Sequence, residues 1–138
     1  MSVLAQAPPA ELAAVLDDVI DRPAYRLLRR PETGLVMVRG RAGGTGMQFN
    51  LGEMPVTRCS VELDDGTVGH AYVGGRNHAH AEMAAWLDAL LQDERLRPRL
   101  ERALIEPLAA RQEARRRTRA ERAAETKVEF FTMVRGEE

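Results

Sequence analysis

Apolar residues at Leu12, Val15, Leu16, Val19 and Ile20 fall at the i, i+3, i+4, i+7 and i+8 positions of one helix face. Pro8 and Pro9 precede them, and proline suits a first helical turn. Asp21-Arg22-Pro23 ends the helix, because a residue before proline is pushed out of the helical region. The pattern then changes. Residues 34–41 (GLVMVRGR) are β-branched and apolar, and a glycine-rich turn, Gly43-Gly44-Thr45-Gly46, follows them. A weaker strand over 47–51 comes next, and Pro55 separates it from a strand over 56–63.

Asp65-Gly66 is a two-residue hairpin signal joining that strand to one over 68–73. A two-residue turn sets Leu63 against Val68, Val61 against His70 and Cys59 against Tyr72, all on one face, with Arg58, Ser60 and Glu62 on the other. A helix is expected to cover the apolar face. Asn77 is a suitable N-cap for it, and Met83, Trp86, Leu87, Leu90 and Leu91 form its stripe. Arg97-Pro98 breaks that helix, a short one spans about 99–105, and Pro107 opens a longer one to about Lys127 that turns steadily more polar. Residues 128–134 (VEFFTMV) read as a final strand. Paired strands with helices on one face predict an α+β fold: an antiparallel meander covered by helices, a long C-terminal helix and a C-terminal strand, within one domain of 138 residues.

Composition removes several functional classes. Twenty basic residues nearly balance 21 acidic ones, which speaks against a nucleic-acid binder. No apolar run is long enough to span a membrane. No basic flank precedes an apolar stretch at the N-terminus, so no signal peptide is expected. The lone Cys59 excludes an internal disulfide, a cysteine-built zinc site and an iron–sulfur cluster held by this chain alone, and suits a reducing cytosol. Aromatics make up only 4%, so the core must be aliphatic and alanine-rich.

Three segments offer chemistry. Glycines at Gly43, Gly44 and Gly46, with Thr45, free backbone N–H groups that can approach an anion. No Lys-Ser/Thr follows, so this is not a Walker loop, and an ordinary glycine-rich hairpin loop is the favoured reading, with an anion or partner contact as the alternative. Arg76, His80 and Glu82 lie at the start of a helix, where the N-terminal N–H groups favour an anion. His78 and His80 point apart, since a helix turns about 100° per residue. His78 and Glu82 share a face but lack further donors, so no metal site is expected. His70, on the hairpin's inner face, reads as a satisfied core or boundary histidine. The third segment is the tail. Phe130 and Phe131 are two of only three phenylalanines, and Phe130 lies on one strand face while Phe131 and Met133 lie on the other. Such a strand either pairs with the chain's own sheet or anchors on another subunit, and Arg135 follows it. The arginines at 111, 115, 119 and 122 read as a solvated helix face.

Taken in order, ETGLV at 32–36, GGTG at 43–46, DDGTVG at 64–69, GR at 75–76, HAE at 80–82 and FFTMVRG at 130–136 resemble the PhnG family, the G subunit of the carbon–phosphorus lyase core complex. MSVLAQAPPAEL at 1–12 resembles the family's start, whereas His78 lies outside the resemblance. The resemblance implies a cytoplasmic complex with the H, I, J and K subunits. With H, I and L, the G subunit is needed when an alkylphosphonate displaces adenine from ribose C1′ of ATP, and the radical iron–sulfur subunit J later cleaves the C–P bond. It further implies that subunit I carries the nucleosidase chemistry, and that this chain is an accessory, inactive alone and without a cofactor of its own. ATP and alkylphosphonate are then substrates of the complex. Alternatives from other classes are a purely structural scaffold, an autonomous small anion-binding enzyme and a nucleic-acid module.

Overall fold

The computed structural model describes residues 1–19 and 23–125, with 15–19 described as backbone only. Two short helices, α1 (Ser2–Gln6) and α2 (Pro9–Val19), lead into a three-stranded antiparallel sheet of β1 (Tyr25–Arg41), β2 (Gln48–Leu63) and β3 (Val68–Gly74) in that order. Helix α3 (His78–Leu90) packs across β2 and β3, and a helical run closes the described chain. This run comprises α4 (Arg97–Leu100), a π-helical turn (Glu101–Ile105) and α5 (Glu106–Glu125). The arrangement is α+β, as expected. The α2 side chains expected at 15, 16, 19 and 20, and the C-terminal strand expected at 128–134, lie outside what is described.

The core is aliphatic. Leu87 and Leu90 of α3, Val61 of β2 and Val73 of β3 are buried with Leu4, Leu12, Leu100 and Leu104. Met83 and Leu91, expected in the helix stripe, are only half-buried, while Ala81, Ala84, Ala85 and Ala89 are fully buried. The alanines let α3 lie close to the sheet. At Gly69 the contact is so tight that a Cβ would overlap the Ala85 carbonyl and the Ala89 amide.

Three expectations change. The hairpin after β2 uses three residues, Asp64-Asp65-Gly66, not two. Leu63 N–H donates to Thr67 O (2.9 Å), Thr67 N–H donates to Asp65 Oδ1 (2.8 Å), and Gly66 takes φ +87°. This shifts the register by one residue, to Val61 opposite Gly69, Ser60 opposite His70 and Arg58 opposite Tyr72. Side chains alternate along a strand, so the shift turns all of β3 over. Gly69, Ala71 and Val73 face α3, whereas His70 and Tyr72 are exposed on the outer face. His70 is therefore not a core histidine; its Nδ1 lies 2.8 Å from Ser60 Oγ.

Second, Pro55 does not divide two strands. It lies within β2, one residue beyond Val56, the last position paired with β3. Proline's missing N–H is tolerated there because no third strand requires it, while its carbonyl accepts from Gly75 N–H (2.8 Å). Third, α3 ends at Leu90, before Arg97-Pro98 can break it; the next helical run begins at Arg97 with Pro98 in its first turn, and Pro107 does not interrupt it. The wide turn at Glu101–Ile105 lies just before Pro107 and relieves the clash its ring would make with a carbonyl four residues back.

The sheet has two unequal halves. Residues 56–63 of β2 lie between residues 25–33 of β1 and β3, and this part of the sheet lies under α3. Residues 34–41 and 48–55 continue as a two-stranded arm with, among the described residues, neither a third strand nor a helix over it. Leu35, Val36 and Met37 on β1, Met47 at the tip, and Phe49, Leu51 and Met54 on β2 are 40% to 87% exposed.

Candidate functional site

Asn77 caps α3 as expected: its Oδ1 accepts from His80 N–H at 3.0 Å. That cap directs the first turn inward. His80 is buried, and its Nε2 lies 2.8 Å from the Leu4 carbonyl, to which an Nε2–H donates. His80, a candidate substrate or partner contact, thus ties α1 to α3 and does not face solvent. His78 points elsewhere, its Nε2 3.1 Å from Thr33 Oγ1. Buried Thr57 donates to the Gly75 carbonyl at 2.7 Å, so its oxygen accepts from Thr33 at 3.0 Å. A hydroxyl has one proton, so Thr33 in turn accepts from His78. This chain fastens the arm's root to the start of α3.

Glu82 Oε1 accepts from Tyr25 OH at 2.6 Å. The Tyr25 hydroxyl is pushed up to about 12, first by burial and then by its bond to the Glu82 carboxylate and that group's charge. The Tyr25 and Trp86 rings are 5.9 Å apart and tilted by 38°. Around them opens a cleft of about 250 Å³ lined by Ala13, Pro23, Tyr25, Glu82, Met83 and Trp86. Trp86 Nε1 is buried without an acceptor among the described residues. Apolar walls with one carboxylate suit a small amphipathic group. The cleft has no nucleophile–base pair, because the hydroxyl beside Glu82 is harder to ionise than an ordinary phenol. Sequence reasoning found Glu82 but missed Tyr25, which lies 57 residues away along the chain.

Arg76 is exposed in the link between β3 and α3, after Gly75 at φ +97°. Gly43, Gly44, Thr45 and Gly46 occupy the arm's tip. Gly43 and Gly44 take φ +58° and +81°, Gly46 N–H donates to Ala42 O (2.8 Å), and Arg41 Nη1 donates to Gly46 O (3.2 Å). Seven residues of β1 separate Gly34 from Arg41, about 23 Å of ribbon. The tip and the α3 start are therefore two separate places, and the fold does not unite them. Phe130, Phe131, Met133 and Arg135 lie outside the described residues.

On the outer face, Glu32 Oε1 accepts from Arg29 Nη1 (2.8 Å) and Arg58 Nε (2.7 Å), and these bonds hold its carboxyl below the usual range. Burial, and then the Glu82 charge, push the Cys59 thiol up to about 11, so it is an inert core group. Among the described residues no three His, Cys, Asp or Glu side chains converge to hold a metal, and no helix is long and apolar enough to cross a membrane.

A relative from Rhizobium meliloti (strain 1021), the alpha-D-ribose 1-methylphosphonate 5-triphosphate synthase subunit PhnG, is 49% identical over 138 residues, covering 100% of this chain and 88% of the relative. The family model described as "Phosphonate metabolism protein PhnG" matches residues 1–136. This chain belongs to the PhnG family.

Proposed function

We propose that this chain is an accessory subunit of a cytosolic complex that joins an alkylphosphonate to ribose C1′ of ATP. A phosphonate oxygen forms the bond to C1′ as the C1′–N9 bond breaks, and adenine leaves with a proton. The observation that carries this reading is the 49% identity, along the whole chain, to a subunit named for synthesis of ribose 1-methylphosphonate 5-triphosphate. The chemistry of the residues supports an accessory role. Displacement at C1′ passes through an oxocarbenium-like state that needs paired carboxylates and a phosphate clamp. In the α3 cleft the one carboxylate among the described residues, Glu82, is held by Tyr25.

In this reading the reaction belongs to subunit I, and H, J, K and L are the further partners. ATP and alkylphosphonate are substrates of the assembly, and this chain alone holds neither. Gly43, Gly44, Thr45, Gly46, Arg76 and Glu82 are the candidate contacts to partner or substrate, and Phe130, Phe131, Met133 and Arg135 are partner contacts of the tail.

The test is adenine release from ATP and methylphosphonate. It is expected when subunits H, I and L are mixed with this chain, and neither without it nor from this chain alone. Turnover by the isolated chain that disappears in Glu82→Gln would overturn the accessory role. Unchanged turnover when the chain is omitted would overturn its membership of the reaction.

A further inference from the structure

We infer that the arm at 34–55 is a plug that seats in an apolar groove of a different polypeptide, a groove that closes over both faces of the ribbon and carries carboxylates where the tip arrives. The inference rests on the subunit reading above and names the surface that reading lacks.

The arm cannot be explained by the fold that bears it. Register with Thr33 places Leu35 and Met37 on the face that α3 covers further down, while Val36 and Met54 lie on the opposite face and the Phe49 ring packs over Gly40. All five large side chains are exposed. With Met47 and Leu51 they make seven exposed large apolar side chains on one short ribbon, a concentration of the kind that marks an interaction surface. Among the described residues, the outer edge of β2 beyond Val56 lacks a neighbouring strand, and β1 has none on its outer side. Unpaired edges with apolar faces are an aggregation hazard unless something covers them.

Size and geometry choose the occupant. A ribbon two strands wide and about 20 Å long displaces on the order of 2,000 Å³. The larger clefts among the described residues are about 160–300 Å³, so a second copy offers no socket. A second arm laid against the first covers one face and leaves the other in water. Arg39 and Arg41 are the only charged residues from Gly34 to Gly52, so the inserted end is purely cationic and calls for carboxylates deep in the receiving groove.

The experiment uses the full chain co-expressed with the H, I, J and K subunits. Met37→Glu combined with Phe49→Glu is expected to lower co-purification at least tenfold while the isolated variant keeps the circular dichroism of the wild type. Hydrogen exchange of the wild-type arm amides is expected to slow at least tenfold in the complex, a readout that stands even if the variant fails to fold. Full co-purification of a folded variant, or arm amides exchanging equally fast in the complex and alone, sinks the plug and leaves the subunit reading intact. Failure of the wild-type chain to co-purify overturns the subunit reading and the plug with it. Arm protection that appears in the isolated chain as its concentration rises, with a dimer in sedimentation, replaces the plug by self-association.

Discussion

One pair of strands meets two fates in this molecule. At its lower end the pair is joined by β3 on the β2 side and lies under α3, where Thr57, Cys59 and Val61 are buried. At its upper end the same strands carry Leu35, Met37 and Phe49 in the open. Residue type does not separate the halves, since both are rich in aliphatic side chains. The length of the cover does. Helix α3 has 13 residues, about 20 Å, and β3 has seven, about 23 Å. Each cover ends where the arm begins, and the His78–Thr33–Thr57–Gly75 chain marks that border. Apolar surface stabilises the isolated chain only below the border; above it, the same kind of surface is available to a partner.

Substitutions can break this contrast. The largest effect is expected at Gly69, where an added Cβ meets helix backbone that cannot turn aside. Gly69→Ala should cost about 3–5 kcal/mol in urea unfolding, or prevent folding. Gly34→Ala, at the root of the arm with nothing within 4 Å of its Cβ position, should leave the midpoint unchanged. Equal sensitivity at both glycines would abolish the distinction. Leu87→Ala should lose about 2–5 kcal/mol, because Leu87 is fully buried. In the isolated chain, Leu51→Ala should stay within about 0.5 kcal/mol.

Smaller effects sharpen the border. His80→Ala leaves the Leu4 carbonyl without its donor, at a cost of about 1–3 kcal/mol by thermal unfolding. Comparable stability of wild type and variant would show that the α1–α3 tie contributes nothing. Asn77→Ala removes the α3 cap and should cost about 1 kcal/mol, with faster exchange of the His80 amide as its signature. The smallest effect is one of pH. Tyr25 has its pKa raised to about 12 in the fold, against 10 for a free phenol. Its contribution is therefore complete below pH 10 and lost as pH rises from 10 through 12. In a Tyr72→Phe background, phenolate absorbance should report titration near the upper value, and Glu82→Gln should move it downward. Titration near 10 with Glu82 present would show that the cleft is open to water.

Much of this architecture was legible locally. The Asn77 cap, the leucines of α3, the hairpin near Gly66 and the glycine turn at 43–46 each rest on chemistry within a few residues. So does the inert Cys59 on an inward strand position. The candidate contacts fared differently. Glu82 and His80 look equivalent in HAE, yet one borders a cleft and the other is buried, because their partners, Tyr25 and Leu4, lie 57 and 76 residues away. The exposed arm was written in the chain as an apolar strand over 34–41 and a weaker one over 47–51, but nothing local states whether a helix reaches them.

By itself the sequence determined the order of most strands and helices, which glycines turn, and the family to which the chain belongs, but it missed the strand at 25–33 and read a break at Pro55. Tertiary packing decided the rest. A strand's side chains alternate with period two, so one extra residue in the Asp64-Asp65-Gly66 loop inverts β3, and either loop length is compatible with Asp65-Gly66 alone. The choice falls to close approach: α3 can settle on Gly69, Ala71 and Val73, but not on Val68, His70 and Tyr72. That settling buries His80, exposes His70, and leaves the far half of the sheet beyond the reach of α3, the helix that packs most extensively on it among the described residues.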